Sequence, residues 1–402
     1  MPDSNLNSRK LSAKLTAEYY ERLYTAKARG KLVAWATSIV PQELLETMNV
    51  EVAYPENHAA AIASRKGALP FLERAENSGY SNDICSYARV NLGYSQTLES
   101  EILNLPKPDF VICINNICNV VVKWYECLAR YFNVPYILID VPFNHEYEVN
   151  QSRVDYIKAQ FQDAIVKLEE ICGKPFDYDR FEKVMEISQR AARAWRRAMD
   201  YAHRVPSPMI GFNMFNYMAL IVCLRGREEA VLLFETVAAE MEALMAEGKS
   251  QFPGEEKYRI LWDGIAVWPH LAHTVSTLHG MNVNMTGSTY PDAWTILYDV
   301  GDLDGMAKAY ASIMNNICVQ RQVDLRTQIL TASQCDGAVY HLNRSCKVMD
   351  FMQFDVRKRV HDATGKPYAV FDGDQSDPRN YAEAQYETRM QALVESMDEQ
   401  KK

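Results

Sequence analysis

Short apolar runs alternate with longer amphipathic stretches in the first and last thirds of the chain. Residues 32–39 (LVAWATSI), 50–53, the run between Asp109 and Asn115, and residues 134–140 read as buried strands. Each has strand length and stops at polar or turn-forming residues. Residues from Pro41, from His58 and over 119–132 read as the helices between them, the first with proline in its opening turn. Strands alternating with helices predict a parallel sheet covered on both faces. The pattern then changes. Residues 149–172, 179–203 and 227–248 show long helical periodicity, broken at Val205-Pro-Ser-Pro. Strand–helix alternation resumes at Tyr258 and runs to about Tyr381, before a charged amphipathic helix over 382–402. The predicted organisation is an N-terminal helical arm (1–30), an α/β unit (31–148), a helical connector (149–255) and a second α/β unit with a C-terminal helix (256–402).

The two α/β stretches share wording. PDFVICINNIC at 108–118 returns as CDGAVYHLNRSC at 335–346, with Asn115 over Asn343 and Cys118 over Cys346. Asp109 and Asp336 open the two runs, the second after a one-residue slip. Pro135 and Asp140 are answered by Pro367 and Asp372, Met48-Asn49-Val50 by Met281-Asn282-Val283, and Pro41 loosely by Pro269. This order of matches predicts an internal duplication: two similar doubly wound parallel-sheet units facing each other with a cysteine loop apiece. A cysteine beyond a strand's carboxyl end lies where open α/β sheets place their ligands.

Composition narrows the classes. The 402 residues are 48% hydrophobic and 24% charged, as in soluble globular proteins. A net charge of −9 without a basic block makes nucleic acid an unexpected partner. No apolar run approaches the ~20 residues of a membrane span, and MPDSNLNSRK does not read as a signal peptide. Nine cysteines without an export signal suit thiols in a reducing cytoplasm rather than a disulfide framework.

No two cysteines have the C-x-x-C spacing of a compact ferredoxin loop or zinc ribbon, and Cys113 and Cys118 are five apart. A cluster would have to be assembled from distant segments, and Cys85, Cys118 and Cys346 lie in suitable loops. Three thiolate ligands would leave one iron of a cubane open. The competing reading is inert buried thiols. Cys127, Cys172, Cys223 and Cys318 lie in helical patterns and read as core or surface thiols, and Cys335 as packing. Asn315-Asn-Ile-Cys318 repeats letters of the first loop within a helix-like stretch, 306–321, and reads as coincidence. His145 reads as a loop histidine. The acidic segment 372–379 reads as an Asp-Gly turn with a cap by Asp377. No G-x-x-x-x-G-K-[ST] loop is present, so ATP is not an expected ligand.

With DICSYAR at 83–89, NNICN at 115–119, NRSCK at 343–347, TSIVPQEL at 37–44, YPEN at 54–57, VNQSRVDYIKAQF at 149–161 and FDGDQSDPR at 371–379, the chain resembles the 2-hydroxyacyl-CoA dehydratases of anaerobic amino-acid fermenters over nearly its whole length. That superfamily is shared with ATP-dependent benzoyl-CoA reductase. The likeness is to the catalytic α subunits. It implies an oxygen-sensitive hydro-lyase acting on an (R)-2-hydroxyacyl-CoA substrate. It further implies a [4Fe–4S] cluster between the two units, held by Cys85, Cys118 and Cys346 with one open iron site. A homologous β subunit carrying its own cluster and an ATP-dependent iron–sulfur activator would be the partners. Ser38 and Glu56 would be the catalytic residues.

The chemistry explains such an apparatus. Water must leave across a hydroxyl α to the carbonyl and a β proton that the carbonyl does not acidify. One-electron reduction to a ketyl radical reverses the carbonyl's polarity and lets the hydroxide go. Ser38 would hydrogen-bond the leaving hydroxyl, or else cap a helix. Glu56 would move a proton, or else be a solvated loop carboxylate. Asn116, Asn119, Ser345 and Lys347 would donate to cluster sulfurs or cap loops. Arg379 is a candidate for a CoA phosphate. Alternatives are an aryl-CoA reductase subunit, a non-catalytic electron-relay subunit, and a cluster-free two-lobed binding protein. The acyl side chain is left open.

Overall fold

A computed structural model describes residues 7–402; the first six residues of the predicted arm lie outside it. The described arm is a helix, Asn7–Thr25, that buries Leu15, Tyr19 and Leu23 against the first unit and the connector.

Unit one is a four-stranded parallel sheet of order β2-β1-β3-β4, with β1 Val33–Ala36, β2 Glu51–Ala53, β3 Phe110–Ile114 and β4 Tyr136–Ile139. Unit two repeats the order as β6-β5-β7-β8, with β5 Tyr258–Asp263, β6 Val283–Ser288, β7 Gly337–Asn343 and β8 Tyr368–Gly373. Every residue of β1, β3 and β5 is buried, as central parallel strands require when helices cover both faces.

The shared letters have shared geometry. The Val33 N–H donates to the Asp109 carboxylate at 2.8 Å, and the Arg259 N–H to Asp336 at 2.9 Å. Each aspartate's own N–H returns a bond to the carbonyl of that same residue. Asn49 and Asn282 both take the left-handed conformation, at φ 58° and 59°, which asparagine tolerates better than most residues. The carbonyls of Pro135 and Pro367 accept from Val111 and Ala338 at the start of the matching strand pairs. The one-residue slip falls within β7, seven residues long against five in β3.

Between the sheets run helices Gln151–Cys172, Tyr178–Asp200, Asn213–Cys223 and Glu228–Ala246. The bounds of Asn213–Cys223 were not foreseen, although Cys223 was read within a helical pattern. Nine of the helix's eleven residues are buried, so it shows no amphipathic stripe. The C-terminal helix Glu383–Gln400 lays Tyr386, Met390, Leu393 and Met397 against unit two, at the spacing of one helical face.

Two boundaries differ from expectation. Residues 306–321 are not one helix: Leu303–Ala311 ends, a short turn follows at Met314–Asn316, and Val319–Ala332 begins with Cys318 as its cap. The helix after β2 starts at Pro55 rather than His58, because proline fits a first helical turn, and this places Glu56 inside the helix. Among the described residues no helix is long and apolar enough to cross a membrane.

Candidate functional site

The three loop cysteines each stand where a helix begins. Cys85 caps Ser86–Ser95, Cys346 caps Lys347–Thr364, and Cys118 lies two residues before Val120–Phe132. Backbone amides of the first turns favour the charged form of the sulfurs, Tyr87 and Ala88 at Cys85, Val120 and Val121 at Cys118, and Met349 at Cys346, although neither Cys85 nor Cys346 makes a capping hydrogen bond. All three sulfurs face one cavity of 320 Å³ between the units. The Ser86 N–H donates to Ser345 Oγ at 3.0 Å, tying the Cys85 loop directly to the Cys346 loop. Gln375 Nε2 donates to Cys85 Sγ at 3.2 Å.

Burial pushes Cys85 up to about 12 and Cys118 up to about 11, and it holds Cys346 well above the ordinary thiol value. The thiols also oppose one another's ionisation: Cys118 raises Cys85, and both raise Cys346. Three sulfurs so placed are poor neighbours as free thiolates. They fit a shared group that takes their charge. A soft, all-sulfur donor set suits an iron–sulfur cluster, and amides at helix N-termini favour the negative charge such a group carries. A cubane takes each cysteine on a different iron, so its ligands need not converge on one point. Among the described residues no three His, Cys, Asp or Glu side chains are grouped around a position for a single ion. Ser86 Oγ and both amide atoms of Asn343, next to this cavity's cysteine loops, are buried without a partner among the described residues.

Ser38, at the carboxyl end of β1, and Glu56 line the same cavity, each 8% exposed. Glu56 Oε1 accepts from the Ser38 N–H at 3.2 Å, and Oε2 from Tyr125 Oη at 2.9 Å. Burial raises the Glu56 carboxyl to about 7, and the bonds from Tyr125 and Ser38 hold back a larger rise. It is therefore not a solvated loop carboxylate. Ser38 caps no helix, because Pro41 occupies the N-cap of the next one.

The rest of the wall is largely apolar, with Trp124, Phe215, Trp268 and Tyr290 prominent. Trp268 Nε1 donates to Tyr87 Oη at 2.5 Å. Tyr125, Tyr290 and Gln375 were not singled out from the sequence. Asn315 was set aside with its repeated letters. It lines the cavity, and its Nδ2 donates to the Ile117 carbonyl at 3.0 Å, so the two Asn-Asn-Ile-Cys segments touch.

The flanking polar residues have other bonds. Asn116 donates to the Tyr310 carbonyl at 2.8 Å, and Lys347 to the Arg344 carbonyl at 2.8 Å. The Asn119 side chain caps nothing. Cys113, Cys127, Cys172, Cys223, Cys318 and Cys335 lie outside the cavity lining. Cys335 packs on Thr286. His145 is exposed beside Arg153. Asp377 caps the turn Pro378–Asn380, and Arg379 is already held by Glu76 and Asp377, each at 2.6 Å. Those two carboxylates already occupy the Arg379 guanidinium.

Residues 37–397 match the family model described as 2-hydroxyglutaryl-CoA dehydratase, D-component. The chain is 51% identical to the (R)-2-hydroxyisocaproyl-CoA dehydratase alpha subunit of Clostridioides difficile, over 96% of this chain and 95% of that one. It is 47% identical to the (R)-phenyllactyl-CoA dehydratase alpha subunit of Clostridium sporogenes, over 92% and 91% of the two chains. It is 46% identical to the lactoyl-CoA dehydratase subunit alpha of Anaerotignum propionicum, over 93% and 92%. The chain belongs to the 2-hydroxyglutaryl-CoA dehydratase D-component family.

Proposed function

We propose that this chain is the catalytic α subunit of a radical (R)-2-hydroxyacyl-CoA dehydratase, a hydro-lyase that yields (E)-2-enoyl-CoA and water by way of ketyl radicals. The observation that carries the reading is the meeting of Cys85, Cys118 and Cys346 with Glu56 on one buried cavity. The three cysteines would hold a [4Fe–4S] cluster, which when bound supplies a one-electron centre and a Lewis-acidic iron free of cysteine.

The chain's own residues handle the protons. The α hydroxyl leaves with its bonding electrons and needs a proton to depart as water. A carboxyl whose pKa lies near 7 carries that proton at neutral pH and gives it up readily. Ser38 and Tyr125 each bond one Glu56 oxygen, which fixes the carboxyl's plane and stabilises it once it is charged. Glu56 then accepts the β proton and returns to its starting state, so one residue closes the proton balance. Apolar walls keep water from the reacting carbon. The same cavity and carboxyl favour a catalytic role over electron relay. The relatives' designation as α subunits supports a β partner. That partner would be homologous and carry its own cluster, and an ATP-dependent iron–sulfur activator would be the electron source.

The test is iron and sulfide content after strictly anaerobic purification with the natural partner. Cys85, Cys118 and Cys346 are changed to Ala one at a time. About four irons assignable to this chain and lost in each variant would support the reading. Iron indifferent to all three cysteines would sink it and leave a two-lobed binding protein.

A further inference from the structure

The acidic segment after β8 does more than cap a turn. Asp374 Oδ1 accepts from the N–H groups of Ser376 and Asp377, at 2.9 and 3.0 Å, and so closes the turn. Its other oxygen, Oδ2, is buried and has no partner among the described residues, and the residue as a whole is 0% exposed. A buried carboxylate oxygen without a partner is destabilising unless a proton, a donor or a cation meets it.

Asp374 lines a hollow of 590 Å³ between the Cys85 loop, the Cys346 loop and the segment after β8. This hollow shares no lining residue with the cysteine cavity. Asp83, Asp350, Asp372 and Asp377 line it as well. Asp350 stands in the first turn of helix Lys347–Thr364, and its Oδ1 is also buried without a partner among the described residues. Burial raises the Asp350 carboxyl; Lys347 opposes the rise and Asp372 adds to it, so these carboxylates stand close enough to feel one another.

The cations of the hollow do not answer the two bare oxygens. Arg379 is taken by Glu76 and Asp377, each at 2.6 Å. Arg344 and Lys347 are exposed, and Lys347 Nζ donates to the Arg344 carbonyl at 2.8 Å. Two buried carboxylate oxygens therefore stand at one hollow, with hard oxygen donors around them and no sulfur in the lining.

We propose that this hollow binds a hydrated Mg²⁺ ion, with Asp374 Oδ2 and Asp350 Oδ1 as its protein ligands and water completing the shell. Hard cations take oxygen ligands. Ca²⁺ needs six to eight of them, whereas Mg²⁺ keeps several waters and is held by one or two carboxylates. Among the described residues no three His, Cys, Asp or Glu side chains surround one position, which fits the second pattern and not the first. The exposed Asp83 and Asp372 would accept from the ion's waters. An ion there would join the segment that carries Gln375 to Cys85 Sγ to the first turn of the helix that Cys346 begins. It would brace two of the cysteine loops from behind, whatever group those cysteines hold.

Mn²⁺, which takes the same oxygen ligands, is the probe. It is titrated into the anaerobically purified chain with its partner, and binding is counted by the loss of the free ion's paramagnetic resonance signal. Asp374→Asn keeps the oxygen that closes the turn and puts an N–H donor in place of Oδ2. The unaltered complex should hold one Mn²⁺ more than this variant, displaceable by Mg²⁺, and Asp350→Asn should weaken the same site about tenfold. Added Mg²⁺ should raise the melting temperature of the unaltered complex and leave that of Asp374→Asn unchanged. In metal-free buffer Asp374→Asn should melt no lower than the unaltered protein, because the unpaired charge is gone. Asp350 is only half-buried, so its variant carries the comparison if Asp374→Asn does not fold. Equal Mn²⁺ counts in the unaltered and variant complexes would overturn the inference. A proton or a side chain of the partner on Asp374 Oδ2 would give that result.

Discussion

At the carboxyl end of β1, unit one places Thr37 and Ser38, with Glu56 in the helix after the neighbouring strand. Aligned on the paired aspartates Asp109 and Asp336, the same end of β5 places Asp263 and Gly264, with Tyr290 in the short helix after β6. Each unit thus buries a carboxylate at this end of its sheet, Glu56 in one and Asp263 in the other, with different company. Asp263 is ion-paired to Arg326 at 2.9 Å and accepts from Thr289 Oγ1 at 2.6 Å. Glu56 has only neutral donors, Ser38 and Tyr125. Gly264 shows why Ser38 has no counterpart. Its φ is +116°, and a Cβ there would stand 3.2 Å from the His341 carbonyl oxygen. One scaffold carries a carboxylate matched by a cation and another left poised to exchange a proton, and the partner makes the difference.

The comparison breaks most visibly at Glu56. Glu56→Gln keeps the shape and removes the exchangeable proton, so kcat should fall about 10²–10⁴-fold with iron content unchanged. A fall in iron together with rate would instead make Glu56 structural. In unit two the corresponding damage should be to stability. Arg326→Met strands Asp263 in the interior, and denaturant unfolding should show a loss of about 3–5 kcal/mol. Little change there would mean that the pair is not what holds Asp263.

A smaller effect follows from pH. The folded Glu56 carboxyl is raised to about 7 by burial, above its ordinary 4.5, so the folded state keeps a proton that the unfolded state releases. That contribution to stability is complete below about 4.5 and is lost as pH rises through 7, about 1.4 kcal/mol per unit at steepest and up to about 3 kcal/mol in all. Stability curves of the unaltered protein and Glu56→Gln, measured over that window, should differ by this slope. Parallel curves would remove the raised pKa from the account.

Much of the fold was legible, and much of the site was not. Strands of unit one are contiguous apolar runs because both faces of a parallel sheet are covered, and that is a local signal. β6 gave none. Its Asn284, Thr286 and Ser288 are buried polar residues, and Asn284 is held by Glu256 and the Met209 carbonyl, partners far away in sequence. Cys85, Cys118 and Cys346 meet only because each follows a strand or loop that opens toward the other unit. Their spacing alone favoured inert thiols, and the resemblance drew them together. Glu56 looked solvent-facing until Tyr125, in a helix that reads as amphipathic core packing, closed over it.

The smallest effect tests the likeness rather than the difference. Asn49 and Asn282 occupy the same turn in the two units, each left-handed and each followed by the edge strand. Alanine disfavours that conformation through its Cβ, so Asn49→Ala and Asn282→Ala should each cost about 1 kcal/mol, and Gly at either site should cost less. Because the conformation and the following strand are the same, the two losses should agree within about 0.5 kcal/mol and add in the double variant. Unequal losses would show that the turns share a shape without sharing an environment, and the equivalence of the units would then stop at their backbones.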